Sequence, residues 1–594
     1  MNFWPFSRLA GVLCSILFIS SYQAQILKQH FAAPNCRTTV VQTDQHGNIY
    51  DFGGFHGSPD FDPGPGETKV QAMGKSDLYI RKLDANGRLL WVKQFIGATG
   101  IQAWDAKIDN SGNIYVTGFF LKTADFDPGP GEMLLTARGN NDNPDIFVMK
   151  LGRNGDLVWV KQIGAAYRES GHGIEIGKDG DIYVVGTFRS RVDFDPGPGT
   201  YNLSTPNVNT AFDNGFFLRL KPNGDFVWAQ QFGNDKLDKI NGITVDKDGN
   251  FYLTGFYTKS VDLDMSSGVK QMNAPDGASF IMKLDHNANL LWVQSMGQAN
   301  FPNPAIRTDS NGDVIIAGGF QGSNNFAPGN GGQYVQAQSM DAFVTKFSRD
   351  GQYKWLVQIG GSAYDDAWGL AIDPQNNIYV SGKYGGRFSL KGTNFSAAGK
   401  YDAYIAKIAS DGTFLGAGTM GGPAAFLSSS ALAFNPRLGL VYALQGSNGK
   451  TVDIDPGEKT EEVALGGVEL LILDHNKIGR SGGGDLGDGG NGGGSGSADC
   501  TQPLKEFEAG DFARQIKDEV FKSKMVNKTK ELMKGRCLTS AQALQILAVF
   551  SFEETKFEMA THLFSQIQDK ANFGTVIDSF TYEANKKKLR ELMK

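Results

Sequence analysis

One phrase built around a tryptophan recurs along this chain, and its repetition constrains the fold more than any other feature. The tryptophans are spaced by 68, 69, 64 and 63 residues, at Trp91, Trp159, Trp228, Trp292 and Trp355. The phrase is nearly copied from one period to the next, as in residues 90–94 (LWVKQ) and 158–162 (VWVKQ). Periods of this kind indicate supersecondary units that stack on one another to bury a common core.

Two further phrases recur in the same frame, and both favour β-strands. One runs NIYVTG at residues 113–118, and another runs DIFVMK at residues 145–150. They are short, rich in β-branched and aromatic residues, and bounded by turn residues, which is typical of hairpins. Four such strands per period make one antiparallel sheet. Because both faces of that sheet are apolar, its copies must stack, and radial stacking of four-stranded sheets gives a propeller.

The number of blades follows from the turn that ends each first strand. Seven copies of its glycine or an equivalent are present, at Gly47, Gly112, Gly180, Gly249, Gly312, residues 376–377 and Gly439. The seventh copy lacks a fourth strand after His475, whereas residues 26–33 align with 91–98. We therefore expect an all-β, seven-bladed propeller with four-stranded antiparallel blades, closed by the N-terminal strand, which leaves no partial blade exposed.

Blade six carries a family resemblance in residues 360–367 (GGSAYDDA) and 371–373 (AID). In these phrases the chain resembles the bacterial seven-bladed β-propeller repeat family over residues 26–480. The resemblance implies the fold and no single activity.

The ends of the chain predict export and a second domain. Arg8, the apolar run 9–19 and Ala24 predict a signal peptide over residues 1–24. The propeller is expected at 25–480, a flexible Gly/Ser-rich linker at 481–498 and a helical domain at 499–594. No other segment approaches the roughly 20 apolar residues of a membrane span. We expect the mature protein in the periplasm, on the outer surface or secreted.

The C-terminal region changes to helical periodicity. A Thr539-x-x-Gln542 capping box opens one apolar helix, and a second begins near residues 550–553 (FSFE). With Cys500, Cys537 and Asp569, these features resemble a domain family of unknown function found near the C-termini of exported Bacteroidota proteins. That resemblance implies no chemistry and predicts a small all-α domain.

Three cysteines remain after the predicted cleavage, and an oxidising compartment permits disulfides. Cys500 and Cys537 flank the first predicted helices, so we expect them to be bonded and Cys36 to be free. The alternative is that all three thiols are unpaired.

Aspartates recur in a DFDPGPG phrase between the second and third strands of a blade. In extended backbone both acids would share one face while the phenylalanine between them packs on the other. Such pairs could begin a calcium site, although calcium needs 6–8 oxygen ligands. The alternative is that the acids accept backbone N–H bonds and shape the turn. The calcium candidates are Asp60, Asp62, Asp125, Asp127, Asp193 and Asp195.

The sequence carries no motif for a catalytic metal or a nucleophile elbow. His30 replaces an apolar strand residue, so a packed core histidine is expected. The repeated tryptophans are expected to pack between blades. The position two residues before the turn aspartate is polar in most blades and is expected to line the channel. Its members are Gln42, Lys107, Glu175, Thr244, Arg307, Ala371 and Ala433. The longer loops 139–144 and 206–214 are candidates for a binding face.

Charge and repetition together favour binding over catalysis. The chain has 57 basic and 63 acidic residues, a net charge of −6, which does not favour nucleic acid. Catalysis needs unlike groups that converge, whereas the conspicuous polar residues here repeat around a ring. We expect a non-enzymatic scaffold of the cell envelope whose propeller face and helical domain each engage protein or glycan, with no cofactor except possible calcium. The alternatives are a calcium-dependent adhesin and a propeller-type glycan lyase or hydrolase.

Overall fold

The computed structural model describes residues 26–478 and a discontinuous set of residues between 502 and 592. Within the first range, residues 140–142, 207–211, 235, 298–304, 328–332, 392, 424, 447–448 and 458 are left out. The predicted signal peptide (1–24) and linker (481–498) lie outside the described residues. The chain divides into two compact units, Met1–Gly483 and Gly484–Lys594. Among the described residues, no helix has the length and apolar character needed to cross a membrane.

In the described part of the first unit, seven antiparallel sheets each contain the four strands of one blade, so the predicted propeller is confirmed. The sheet of blade one is extended to six strands by a short hairpin from blade two. Blade one contains β2 (Cys36–Thr43), β3 (Ile49–Phe55), β4 (Asp77–Leu83) and β5 (Leu89–Gly97). Blade two contains β6 (Ile101–Ile108), β7 (Ile114–Phe120), β10 (Asp145–Leu151) and β11 (Leu157–Ile163). Blade three contains β12 (Ser170–Ile176), β13 (Ile182–Phe188), β16 (Asn214–Leu220) and β17 (Phe226–Phe232). Blade four contains β18 (Lys239–Val245), β19 (Phe251–Asp262), β20 (Gln271–Leu284) and β21 (Leu290–Ser295). Blade five contains β22 (Ala305–Thr308), β23 (Val314–Asn325), β24 (Tyr334–Phe347) and β25 (Tyr353–Ile359).

Blade six contains β26 (Gly369–Ile372), β27 (Ile378–Tyr384), β30 (Asp402–Ile408) and β31 (Phe414–Met420). Blade seven contains β32 (Leu427–Asn435), β33 (Gly439–Gly446), β36 (Gly467–Leu473) and β1 (Leu27–Pro34). Short hairpins extend the loop between the second and third strands in four blades: β8 (Thr123–Asp125) with β9 (Leu134–Thr136), β14 (Arg191–Asp193) with β15 (Asn202–Ser204), β28 (Arg387–Leu390) with β29 (Thr393–Ser396), and β34 (Lys450–Asp453) with β35 (Glu462–Leu465). The innermost strands β2, β6, β12, β18, β22, β26 and β32 contact one another in a closed ring around a tunnel.

The N-terminal strand closes the ring, as the sequence predicts. Strand β1 is the outer strand of blade seven and pairs with β36, with Phe31 opposite Leu470. Its first residues are held by the loop between β33 and β36 of blade seven, where Asp455 Oδ1 accepts hydrogen bonds from the backbone N–H groups of Ile26 and Leu27 at 3.3 and 3.2 Å. From blade one, Arg81 Nη1 donates to the carbonyl oxygen of Ala32 in β1 at 3.1 Å.

The repeated tryptophan phrase holds neighbouring blades together. The indole Nε1–H of Trp159 donates to the carbonyl oxygen of Pro222, in the last turn of blade three, at 3.1 Å. Trp292 and Trp355 make the same kind of bond to the next blade. The turn glycine Gly224 has a φ of +85°, and a Cβ there would lie 3.1 Å from the Trp159 ring. The tryptophan therefore packs on a turn that only glycine fits easily.

The second unit is described in part, with helices α1 (Ser540–Leu547), α2 (Glu553–Phe564) and α3 (Glu583–Leu592). The predicted capping box is present, because Thr539 and Gln542 exchange backbone-to-side-chain hydrogen bonds of 3.2 and 2.8 Å. Strands β37 (Gln502–Pro503) and β38 (Arg536–Cys537) pair in parallel. Cys500 lies outside the described residues, so the disulfide between Cys500 and Cys537 stays a prediction.

Candidate functional site

The two faces of the propeller differ in the chain segments that form them. The loop face is where the innermost strands begin, and it carries the links between blades and the Asp-rich loops. The turn face is where the innermost strands end, and it carries the tight Asp-x-x-Gly turns. This difference follows from the antiparallel order of the strands within each blade.

Most of the repeated acids are engaged with the backbone of their own blade. In the turn of blade two, Asp109 Oδ1 accepts from the N–H groups of Ser111 and Asn113 at 2.9 and 2.8 Å. A second repeated acid begins the innermost strands on the loop face and accepts from the N–H four residues earlier, in Glu169, Asp238 and Asp365. These acids order turns and links, which explains why they recur from blade to blade.

The Asp-rich loops are held by their own carboxylates. In blade two, Asp125 Oδ1 accepts from the N–H groups of Asp127 and Met133 at 3.0 and 2.8 Å, and Asp127 Oδ1 accepts from Gly129 N–H at 2.8 Å. The loops of Asp60 with Asp62 and of Asp193 with Asp195 repeat these contacts. In blade five Asn325 makes both bonds of the first acid. An oxygen acceptor is therefore sufficient at that position, and a negative charge is not required.

The phenylalanine of the Asp-rich phrase packs in the core, on the side away from the acids, as predicted. Phe126 is fully buried, and its ring centroid lies 5.3 Å from that of Phe120. In the described part of the chain, no three His, Cys, Asp or Glu side chains group closely enough to hold a metal ion. Calcium binding at Asp60, Asp62, Asp125, Asp127, Asp193 and Asp195 stays a prediction.

Two of the seven positions predicted from the sequence to line the channel are found on the wall of the tunnel cavity. Gln42 and Arg307 line the tunnel cavity. Lys107 Nζ lies 3.0 Å from Glu175 Oε1 and 3.5 Å from Asp105 Oδ2. Burial opposes the charged form of Lys107, but the two carboxylates outweigh it and raise its pKa. Burial likewise raises the pKa of Glu175. These charges are paired with one another within the turn-face half of the tunnel.

A second set of tunnel-lining positions, five residues before the turn aspartate of each blade, was not predicted from the sequence. Its described members line the tunnel cavity: Thr39, Trp104, His172, Asn241 and Trp368. The strand pairing skips one residue at this point in blades one, two, three and four. A β-bulge re-aims a side chain in this way. Burial lowers the pKa of His172 to about 4, so its neutral ring donates through Nδ1 to the Ile240 carbonyl at 3.1 Å.

On the loop face the tunnel widens into a cavity of about 480 Å³, here named the mouth cavity. The half-buried indoles of Trp104 from blade two and Trp368 from blade six line it, together with Phe426, which is 41% exposed. Blade seven contributes the small side chains of Ser428 and Ser429 from β32, together with Gln445 and Gly446 from β33. Small residues in one blade between large aromatic residues in others leave the space that a ligand could occupy.

The charged groups at the mouth cavity are mostly basic. Arg37 is exposed on its wall. Lys383 Nζ lies 3.4 Å from the buried carboxylate of Asp366 and 4.7 Å from the centre of the Tyr364 ring. Lys400 Nζ lies 5.8 Å from the centre of the Phe426 ring. Two of the lining residues, Arg37 and Lys383, are therefore basic. Lys400 lies beside the lining residue Phe426, and Asp366 pairs with Lys383.

Two further predictions have different outcomes. His30 is not a packed core histidine: its side chain is 36% exposed and its Nδ1 lies 3.4 Å from Glu469 Oε2, because it points outward from the edge strand β1. Cys36 is free and buried, and burial raises its pKa to about 12. The candidate loops 139–144 and 206–214 lie in large part outside the described residues.

Comparison with family models supports the two resemblances seen in the sequence. Residues 227–256 match a β-propeller repeat family, and residues 503–593 match a domain of unknown function, DUF4476. Both matches describe segments of the chain and carry no assigned activity.

Curated relatives are distant and much longer than the matched regions. An uncharacterised WD repeat-containing protein of Acanthamoeba polyphaga mimivirus is 26% identical over 363 residues, which are 52% of this chain and 26% of that protein. The regulatory protein FlaEY of Caulobacter vibrioides is 27% identical over 168 residues, which are 28% of this chain and 17% of that protein. The matched regions thus span at most about a quarter of these relatives.

Solved structures with a similar outline include lyases. A polysaccharide lyase described as an ulvan lyase is 11% identical, with 76% of this chain and 96% of that chain covered and a TM-score of 0.36. Virginiamycin B lyase from Staphylococcus aureus is 10% identical, with 75% and 100% covered and a TM-score of 0.32. No functional inference rests on likenesses this weak.

Proposed function

We propose that this chain is an exported, non-catalytic binding scaffold whose propeller captures a glycan at the mouth cavity. The observation that carries the proposal is the pair of half-buried indoles, Trp104 and Trp368, on the walls of one open cavity of about 480 Å³. Its volume lies within the range of small-molecule and ligand sites, and such sites combine apolar walls with a few oriented polar groups. The helical domain would engage a second partner.

The aromatic walls suit sugar rings, since a sugar has apolar faces and polar edges. Flat indoles can cover the faces, while Ser428 and Gln445 offer hydroxyl and amide groups to the edges. The outer tryptophans do not serve this role, because Trp159 and its equivalents are packed against the next blade. The proposal of a non-enzymatic role is supported by the repeated acids, which accept backbone hydrogen bonds instead of pairing with a base or nucleophile.

A glycan-binding screen with the full mature chain tests the proposal. We expect capture of at least one class of oligosaccharide, and loss of at least tenfold in affinity for both Trp104→Ala and Trp368→Ala. Tyr334→Ala removes a tyrosine that is 71% exposed in blade five and serves as the matched control. The captured oligosaccharide should also remain intact after prolonged incubation. Binding that survives both tryptophan substitutions, or cleavage of the bound glycan, would reject this function.

A further inference from the structure

The mouth cavity continues into a second space on the loop face. This space, here named the side cavity, has a volume of about 470 Å³ and shares Arg37, Thr39, Gln445 and Gly446 with the mouth cavity. Two adjoining cavities of this size suit an extended ligand with several units better than one compact molecule. Arg37 stands at the junction between them.

The two cavities differ in chemistry. The mouth cavity has aromatic walls, whereas the side cavity is lined by polar groups that include Asn35, His56, Ser76 and Gln102. An apolar occupant would cover the polar groups of the side cavity without offering them hydrogen-bond partners, which is unfavourable. A chain of sugars can satisfy both, because one unit can stack on an indole while the next exchanges hydrogen bonds.

The charge at the junction selects among glycans. Arg37 is exposed, and no ion pair to it is found among the described residues. Lys383 and Lys400 add positive charge beside the aromatic groups, and the buried Asp366 offsets one of them. A guanidinium offers several donors in a fixed fork that matches a carboxylate or a similar oxyanion.

We propose that the ligand of the two cavities is an acidic oligosaccharide, with a sugar ring between Trp104 and Trp368 and a carboxylate or sulfate on Arg37. This proposal rests on the proposed function and adds the charge of the ligand. An acidic peptide is the competing class, but it would make little use of the two flat indole faces.

Titration of the full mature chain with matched oligosaccharides tests the charge directly. The probes are a hexamer of galacturonate, its full methyl ester, a sulfated hexamer of a neutral sugar, and oligoglutamate. We expect at least one of the two anionic sugars to bind ten times more tightly than the ester. Whichever of the galacturonate and the sulfated hexamer binds identifies carboxylate or sulfate as the anion recognised.

The substitution Arg37→Gln should remove the preference for the anionic sugar over the ester. Arg191→Gln, at another exposed arginine in a strand of blade three, is the matched control. Thermal melting of each variant shows that it is folded. If neither anionic sugar binds more tightly than the ester, or if the preference is unaltered in Arg37→Gln, the acidic ligand is overturned. Binding that still depends on Trp104 and Trp368 would then uphold the proposed function. Oligoglutamate that binds more tightly than every sugar would overturn both.

Discussion

The outer and inner tryptophans of this propeller meet different surroundings. The outer ones, such as Trp159, belong to a phrase that recurs from blade to blade and donate to a carbonyl of the next blade. The inner ones, Trp104 and Trp368, occupy a register whose other described members are Thr39, His172 and Asn241, and they line a cavity. A residue that repeats in every blade serves a junction that every blade has. A residue whose type differs from those at the equivalent position of the other blades is available for a ligand.

Blade one contains an instructive exception. Arg81 and Asp51 are both fully buried and joined by two hydrogen bonds, Nε to Oδ1 at 3.0 Å and Nη2 to Oδ2 at 3.2 Å. Tyr79 also donates to Asp51 at 2.9 Å. This pair is not repeated in the neighbouring blades, yet Arg81 reaches the closing strand instead of a cavity. A unique residue can therefore serve a unique junction, since the ring closes only once.

The largest effect is expected at this exception. Arg81→Gln should lower the free energy of unfolding by about 3–5 kcal/mol, because it leaves the Asp51 carboxylate buried without its partner. Denaturant unfolding of the full chain measures the loss, with Arg191→Gln as the exposed control. A loss below about 1 kcal/mol would show that the pair does not secure the closure.

Substitution of one tryptophan from each class tests the comparison itself. Trp159→Ala should cost about 2–4 kcal/mol, because it removes a half-buried ring and a hydrogen bond between blades. Trp104→Ala should cost less than about 1 kcal/mol while it abolishes glycan capture. The same unfolding and binding assays measure both. Similar stability losses for the two variants would remove the distinction between outer and inner positions.

A pH titration addresses the repeated acids that begin the innermost strands. Burial raises the pKa of Glu169 to about 9 and that of Asp365 to about 7. In the unfolded chain both carboxyl groups have a pKa near 4. From about pH 4 up to the folded-state pKa values, the folded protein therefore binds more protons than the unfolded protein. Stability should therefore fall as the pH rises through this window, by on the order of 1–2 kcal/mol.

Glu169→Gln should flatten this pH dependence, since glutamine does not titrate. Unfolding in denaturant at pH 5, 7 and 9 measures the slope for both proteins. A slope that is the same in the variant would show that another group is responsible.

The smallest effect is expected in the Asp-rich loops. Asp125→Asn should change the free energy of unfolding by no more than about 0.5 kcal/mol, because Asn325 makes the same bonds in blade five. Asp125→Ala should cost about 1 kcal/mol through the loss of two acceptor contacts. Calorimetric titration with calcium provides the separate readout. Calcium heat that disappears in Asp125→Asn would establish that the charge serves a metal.

Repetition made the fold predictable from the sequence. The turn glycines gave the number of blades, and the alignment of residues 26–33 with 91–98 located the closing strand. Outer contacts were predictable for the same reason, since Gln162, from the repeated phrase, donates to Asp145 at the start of another repeated phrase at 2.7 Å.

The candidate site was less predictable because a β-bulge changes which residues face the tunnel. The positions two and five residues before the turn aspartate lie three residues apart. Because side chains of a regular strand alternate between its faces, these two positions are expected on opposite faces. The extra residue brings both to the tunnel, as for Gln42 and Thr39. The amino-acid composition of a single blade does not reveal a β-bulge of this kind. Comparing the fifth position before the turn across all blades would have revealed Trp104 and Trp368.

The contact between Asp455 and the start of β1 has a consequence for the order of events during synthesis. The acid follows Leu27 by 428 residues, so the first strand made must wait for one of the last loops. At about 5–20 residues per second, that interval is on the order of 20–90 s. Six blades can form from neighbouring segments in the meantime, whereas the closing contact joins residues that are 428 positions apart. Closure is therefore expected to be the last and slowest step of propeller folding.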